Sequence, residues 1–258
     1  MKVVIFAGGR GTRIAEESHL KPKPMIEIGG KPILWHIMKI YEKHGFNEFI
    51  VCLGYKGYAI KEYFINYFSH NADITIELQN NSIEVHHTNA ENFKVTLVDT
   101  GLETMTAGRL QKVQKYIQDD TFLLTYGDGV SDININELLA YHHSHGKLAT
   151  MTAIIPEGRF GTMDIDNDGV VKSFKEKPKD DNHWINGGFF VLNKDVFKYL
   201  DKDMTTIMWE QEPLVRLTDD KQLMTYKHKG FWKCMDAMRD KEELEYMWNK
   251  GNAPWKIW

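Results

Sequence analysis

Residues 3–7, Val-Val-Ile-Phe-Ala, are apolar without interruption and stop at Gly8 and Gly9. That pattern predicts a strand buried on both faces of a parallel sheet. From Pro32 the period changes: Ile33, Leu34, Ile37, Met38 and Tyr41 recur at helical spacing until Gly45. A strand at 49–53 and a helical segment over about 60–68 complete a β-loop-α-β-α order, which predicts a parallel sheet covered by helices on both sides. Residues 73–98 alternate instead (Ile74, Ile76, Leu78; Val95, Leu97) around the polar break at 79–82, and read as a β-rich insertion or edge region.

The α/β pattern resumes with a helix near 110–117, a strand at 122–126 ending at Gly127-Asp128-Gly129, a helix over about 137–145 and a strand over 148–155. A hairpin is expected over 163–171, with Asn167-Asp168-Gly169 as its turn. A strand at 189–192 and a closing helix that includes 242–248 follow. The fold class expected is α/β, a Rossmann-like, mostly parallel central sheet with helices on both faces and β-rich insertions. Without repeats or linker-like stretches, residues 1–258 read as a single domain.

Composition narrows the function classes. A chain of 258 residues buries enough core to fold without disulfide or metal. The net charge of -4 argues against nucleic-acid binding, which needs a basic face, yet leaves room for a small anionic ligand met by a few local cations. Cys52 and Cys234 form no ligand or redox spacing and read as free thiols. The N-terminal apolar run is too short for a signal peptide or a membrane span, so the expectation is a cytoplasmic protein without a membrane partner.

The chemistry begins at Ala7-Gly8-Gly9-Arg10-Gly11-Thr12-Arg13. Glycines let backbone N–H groups converge on an anion, and Arg13 adds a charge-assisted fork. A Walker loop needs Gly-Lys-Ser/Thr, which is absent, and a dinucleotide fingerprint would want a small residue where Ile14 stands. Lys23 follows on Lys21-Pro22-Lys23-Pro24, where alternating prolines stiffen the backbone. The triplet Asp164, Asp166, Asp168 imitates the start of an EF-hand, but Lys175 takes the place of the closing glutamate, so the hairpin is preferred. His86-His87 and His142-His143-x-His145 offer no coherent metal set.

Read together, Gly-x-Gly-Thr-Arg, Pro22-Lys23-Pro24-Met25, Lys31-Pro32-Ile33, Tyr126-Gly-Asp-Gly, Phe174-Lys-Glu-Lys-Pro and Ile185-Asn-Gly-Gly-Phe resemble the sugar-1-phosphate nucleotidyltransferases, in the family's order and over nearly the whole chain. Within the family, Val85-His-His, Leu97-Val-Asp-Thr-Gly with Thr106-Ala-Gly-Arg-Leu, Trp209-Glu-Gln-Glu-Pro-Leu and Gly230-Phe-Trp-Lys-Cys-Met-Asp look like the branch that uses CTP and glucose 1-phosphate. Ala107 departs from the glycine expected there. The resemblance implies a homo-oligomer, a sugar-binding half over about 150–236 and a C-terminal helix over about 239–250.

It also implies roles. Lys23 would meet the α-phosphate, while Arg13 and the loop from Phe6 and Ala7 through Gly8, Gly9, Arg10, Gly11 and Thr12 would hold the other phosphates. Asp128 and Asp236 would bind Mg²⁺. Thr104, Arg109 and Gly127 would contact the nucleotide; Lys177 the sugar phosphate; and Glu176, Asn186 and Gly187 the hexose. Competing structural readings stay open: Asp128 as a turn residue, Asp236 as a helix N-cap, and Glu176 with Lys177 as a solvated pair. Uridylyl or thymidylyl transfer on the same sugar phosphate remains an alternative, as does a non-catalytic sensor.

Overall fold

The computed structural model describes residues 1–156, 162–165, 171–175 and 184–258. Among them, seven strands form the main sheet: β1 (Lys2–Ala7), β2 (Glu48–Leu53), β3 (Lys94–Asp99), β4 (Thr121–Tyr126), β5 (Ala149–Ile154), β6 (Ile185–Asn193) and β7 (Leu223–Lys227), in the order β7-β5-β6-β4-β1-β2-β3. All pair in parallel except β6, which runs against both of its neighbours. Six helices of eight residues or more pack around it: α1 (Ile33–Lys43), α2 (Gly57–His70), α3 (Thr106–Val113), α4 (Ile135–His145), α5 (Glu212–Asp219) and α6 (Met238–Asn249). None is long and apolar enough to cross a membrane.

The period-2 geometry of a strand explains the unbroken apolar runs. Along β1, Val3, Ile5 and Ala7 enter one core with residues of α1, α4 and α6, while Val4 and Phe6 enter a second core with residues of α3 and α5. Both faces are buried, so both sets of positions are apolar.

Residues 73–98 divide between the two readings given for them, insertion and edge. Ala72–Glu77 and Ser82–Thr88 form a hairpin outside the main sheet, but Lys94–Asp99 is the edge strand of that sheet, parallel to β2. Its alternation reflects an edge position with only part of its surface covered. Thr162–Ile165 and Val171–Lys175 pair antiparallel, as expected of the hairpin; the intervening turn lies outside the described residues. The helix α5 and strand β7 were not anticipated, although Pro213 near the start of α5 and the buried Leu214 and Leu217 carry a helical signal.

The chain reverses direction across the sheet at β1. Strands β2 and β3 lie on one side of it, and β4 lies on the other. A crevice opens where strand order reverses, at the C-terminal ends of β1 and β4. Arg109, on α3, fixes the shape of that crevice from beneath. Its guanidinium is buried and donates to the carbonyls of Leu53 (2.8 Å) and Gly8 (3.0 Å) and to Thr100 Oγ1 (2.6 Å). It thereby ties together the segments that follow β1, β2 and β3. Only glycine fits at position 8, where an added Cβ would fall 2.2 Å from Arg109 Nη1.

At the opposite side, the C-terminal tryptophans surround His36. Trp255 is fully buried, and Trp35, Trp248 and Trp258 complete the cluster. His36 Nε2 lies 2.8 Å from the Ile28 carbonyl, and Trp255 Nε1–H donates to Nδ1 at 3.4 Å. This arrangement accommodates the neutral, Nε2–H imidazole. Burial pushes the His36 pKa down to about 4.

Two outcomes follow from these contacts. Arg109→Met leaves buried acceptors unsatisfied and is expected to lower urea-unfolding stability by about 3 kcal/mol; an unchanged midpoint would contradict the tying role. For His36, the unfolded chain takes up a proton below about pH 6.5, whereas the folded imidazole stays neutral down to about pH 4. Its contribution is complete above the unfolded pKa and is lost as pH falls. Unfolding titrations at about pH 7 and about pH 5 should differ by about 2 kcal/mol from this residue, a difference that a His36→Gln variant should lack.

Candidate active site

Local backbone geometry delivers each polar group to the crevice. After β1 the chain turns through Gly11, at φ 63°, into the short 3-10 turn Thr12–Ile14. Lys23 sits on a second such turn, Lys23–Met25, preceded by Pro22 in extended conformation. On the far side, β4 ends at Tyr126 and a two-stranded ribbon begins: Gly129–Ser131 pairs antiparallel with Trp232–Cys234. Cys234 opposes Gly129, and the Met235 N–H donates to the Asp128 carbonyl at 2.8 Å. That ribbon brings Asp236 to Asp128 across more than a hundred residues of sequence.

Lys23 lies between the two carboxylates. Its ammonium donates to Asp128 Oδ2 at 2.7 Å and to Asp236 Oδ1 at 2.6 Å, and Arg13 donates to Asp236 Oδ2 at 2.7 Å. The Lys23 side chain is 10% exposed, against 76% for Arg13, so the lysine pair is held inside the protein and the arginine pair stands in water. Burial by itself would lower the Lys23 pKa; the charge of Asp128 and the hydrogen bonds to both carboxylates reverse this and raise it, so the ammonium stays protonated. For Asp236, burial acts upward, but the hydrogen bond and charge of Lys23 with the charge of Arg13 outweigh it and hold the carboxyl below its usual range. Burial and then the Asp128 charge push the Cys234 thiol up, so it stays protonated beside this pair.

Asp236 does not cap the following helix. Ala237 is the N-cap of α6, and the Asp240 carboxylate accepts from the N–H groups of Asp236 (3.0 Å) and Ala237 (2.8 Å). The Asp236 side chain is therefore left to face Lys23. With Cys234, the carboxylates of Asp128 and Asp236 form a group whose donor atoms all lie within 4.8 Å of one another, which is suited to a divalent cation. Two carboxylate oxygens match a hard, oxygen-preferring ion, and the Lys23 ammonium now supplies positive charge between them.

Two cavities meet at this point. One, of about 230 Å³, is lined by Phe6, Ala7, Gly9, Gly11, Thr12, Lys23, Thr106 and Gly127. The other, of about 460 Å³, is lined by Asn186, Gly187, Glu210, Trp232, Lys233 and Arg239, among others. Arg13, Tyr126, Asp128 and Asp236 line both. A hydrogen-bonded chain forms the partition: Thr106 Oγ1–H donates to Glu210 (2.9 Å), Tyr126 OH also donates to Glu210, and Asn186 Nδ2 donates to Tyr126 (3.3 Å). Trp232 Nε1 donates to the Gly187 carbonyl at 2.6 Å, and Gly188 turns at φ 80° against the Tyr126 ring.

The candidate residues from sequence therefore separate into groups. Lys23, Arg13, Asp128, Asp236 and most of the glycine loop converge, with Asn186 and Gly187 in the larger cavity. Gly8, Arg10, Thr104 and Arg109 line neither cavity. Arg10 is paired with Glu103, Thr104 is buried and accepts from Lys112 (3.1 Å), and the Arg109 donors are engaged beneath the loop. Ala107 is fully buried in a core, so its methyl group faces neither cavity. Glu176 and Lys177 lie outside the described residues. Sequence reasoning assigned no role to Thr106, Glu210, Trp232, Lys233 or Arg239, although all but Arg239 stand inside segments that carried the family resemblance.

Comparison with known proteins agrees with this geometry. A family model described as Nucleotidyl transferase matches residues 2–236. Glucose-1-phosphate cytidylyltransferase of Salmonella typhimurium is 58% identical over 259 residues, covering 100% of both chains. The probable glucose-1-phosphate cytidylyltransferase of Bacillus subtilis is 48% identical over 259 residues, again with 100% of both covered. Among solved structures, HddC from Yersinia pseudotuberculosis shares the fold, with a TM-score of 0.67 and 24% identity over 96% of this chain and 99% of that one. With a fold, a charged crevice and a full-length likeness that all agree, the chain belongs to the nucleotidyl transferase family.

Proposed function

We propose that the protein transfers a cytidylyl group from CTP to glucose 1-phosphate, giving CDP-glucose and pyrophosphate, with residues 1–258 acting as a single catalytic domain. The observation that carries the reading is the junction of two cavities at Lys23, Asp128 and Asp236. A transferase of this kind must hold two anionic substrates with one phosphorus between them. Two chambers that share Arg13, Tyr126, Asp128 and Asp236 as a wall, with Lys23 bonded to both carboxylates, meet that need. The full-length likeness to two cytidylyltransferases supports the choice of base and sugar. A cytoplasmic setting accords with both cysteines being unpaired.

The smaller cavity takes the triphosphate. Loop amides from Gly9 to Thr12 face its phosphates, and Arg13, largely exposed and therefore free to reorient, turns from Asp236 to the departing pyrophosphate. The larger cavity takes glucose 1-phosphate, with Asn186 and Gly187 facing the hexose and Glu176 and Lys177 assigned to the same ligand. The nucleophile is a phosphate whose second pKa is near ~6, so it arrives largely ionised and needs no general base. It attacks the α-phosphorus in line while pyrophosphate leaves from the opposite side. Catalysis is then positioning plus neutralisation of crowded negative charge.

Asp128 and Asp236 would hold Mg²⁺, which when bound neutralises phosphate oxygens on the triphosphate. The chain's own part is to aim both carboxylates at one point, which Lys23 does in the free protein by donating to each. The Lys23 ammonium, which lines the smaller cavity, is the chain's own cation for the α-phosphate. Tyr126, kept neutral by burial and by the Glu210 charge, maintains the partition between the chambers.

Two measurements test this. Lys23→Ala should reduce turnover by about 10²–10³, the loss typical of one electrostatic stabiliser, with a native circular dichroism spectrum; near-normal turnover in the folded variant would remove the lysine from the mechanism. Incubation of the wild type with glucose 1-phosphate and each of CTP, UTP, dTTP, ATP and GTP should release pyrophosphate fastest with CTP. Equal or better use of UTP or dTTP would overturn the cytidylyl assignment, and binding without product from any triphosphate would identify a sensor.

A further inference from the structure

Cys234 has no task in the transfer reaction, yet it stands at its centre. Its backbone is fixed by the ribbon pairing with Gly129, and its Sγ lies within 4.8 Å of the donor oxygens of both Asp128 and Asp236. It lines the larger cavity, so small solutes reach it. The chain's other cysteine, Cys52, is fully buried in β2 and is no competitor for dissolved ions.

Two carboxylates and a thiol within this radius present two different faces to cations. A hard ion takes oxygens and leaves sulfur aside. A thiophilic ion of the Zn²⁺ class takes a thiolate at about 2.3 Å and carboxylate oxygens at about 2.1 Å, with donors about 3.5 Å apart in a tetrahedral site. The present spacing needs a contraction on the order of 1 Å, within the reach of side-chain rotation about a fixed ribbon.

We propose that Asp128, Cys234 and Asp236 form a three-donor site for thiophilic divalent cations, and that its occupation inhibits the enzyme. This rests on the reading of the two carboxylates as the holders of the catalytic cation. On binding, the sulfur–metal bond forms, the thiol proton passes to solvent, and the Lys23 ammonium leaves the carboxylates. No electrons are transferred. The charge balance accounts for inhibition: a divalent cation on two carboxylates leaves the set neutral, whereas a third, thiolate ligand leaves it at one negative charge. That charge sits where two anionic substrates must meet, and the cation is drawn toward Cys234 and away from the phosphates.

Cobalt(II) added to the wild-type protein is the direct probe. It should give a thiolate-to-metal charge-transfer band in the near ultraviolet that is absent from Cys234→Ala and Cys234→Ser, each checked for native fold by circular dichroism. In Mg²⁺-supported assays at fixed CTP, the zinc concentration that halves activity should rise about tenfold or more in Cys234→Ala, the scale of loss for a metal's protein partner. A wild-type cobalt complex without the sulfur band, or equal zinc sensitivity in the two proteins, overturns the proposal. Asp128→Asn separates the two readings. If it abolishes cobalt binding while the wild-type complex lacks the sulfur band, only the cysteine assignment fails. If cobalt binds the variant undiminished, the carboxylate site fails with it.

Discussion

The structure of the site depends on one buried ammonium. Asp128 follows a central strand and Asp236 follows a distant ribbon, and neither has a reason in its own segment to face the other. Two carboxylates converging in a partly buried pocket repel each other. Lys23 removes the conflict by donating to both at once from the opposite wall of the crevice. It ties the glycine loop, the end of β4 and the approach to α6 into one charged unit. Arg13 adds to this from the surface, where water screens its pairing and leaves it mobile.

That unit also explains how a chain with net charge -4 can gather polyanions. Local pairing matters more than the total: Lys23 and Arg13 on one side, and Lys233 and Arg239 on the other, each stand against carboxylates that line the same cavities. Beneath it, Arg109 spends its charge on backbone carbonyls rather than on a ligand. Its work is to hold the strand ends that shape the loop, which is why glycine is required at position 8.

What was legible in the sequence was what the chain encodes locally. The apolar run of β1, the glycines after it and the proline-stiffened Lys23 announced a strand, a turn and a crevice-lining cation. Asp128 was placed correctly because a strand end is a local feature. Asp236 could be linked to it only by resemblance, since the pairing of Gly129 with Cys234 joins distant segments that have no shared local pattern. For the same reason the partition formed by Thr106, Glu210 and Tyr126 escaped notice, as did the buried position of Arg109, whose sequence context resembles that of any exposed helical arginine. For residues 73–98 the alternation could not separate an insertion from an edge strand, because β3 is only partly covered on both faces, by one core at Val95 and Leu97 and by the other at Val98.

The reversed strand β6 gives the enzyme a division of labour. Because it runs against β4 and β5, its first residues, Asn186 to Gly188, arrive at the sheet edge where the other strands finish. The larger cavity is thus drawn in part from a strand's beginning, and the smaller one from strand ends. Asn186 and Gly188 both bear on Tyr126, whose ring lines both cavities, so a change at the entrance to β6 is felt on each side of the partition. The reversed strand thus couples the two cavities as well as dividing them.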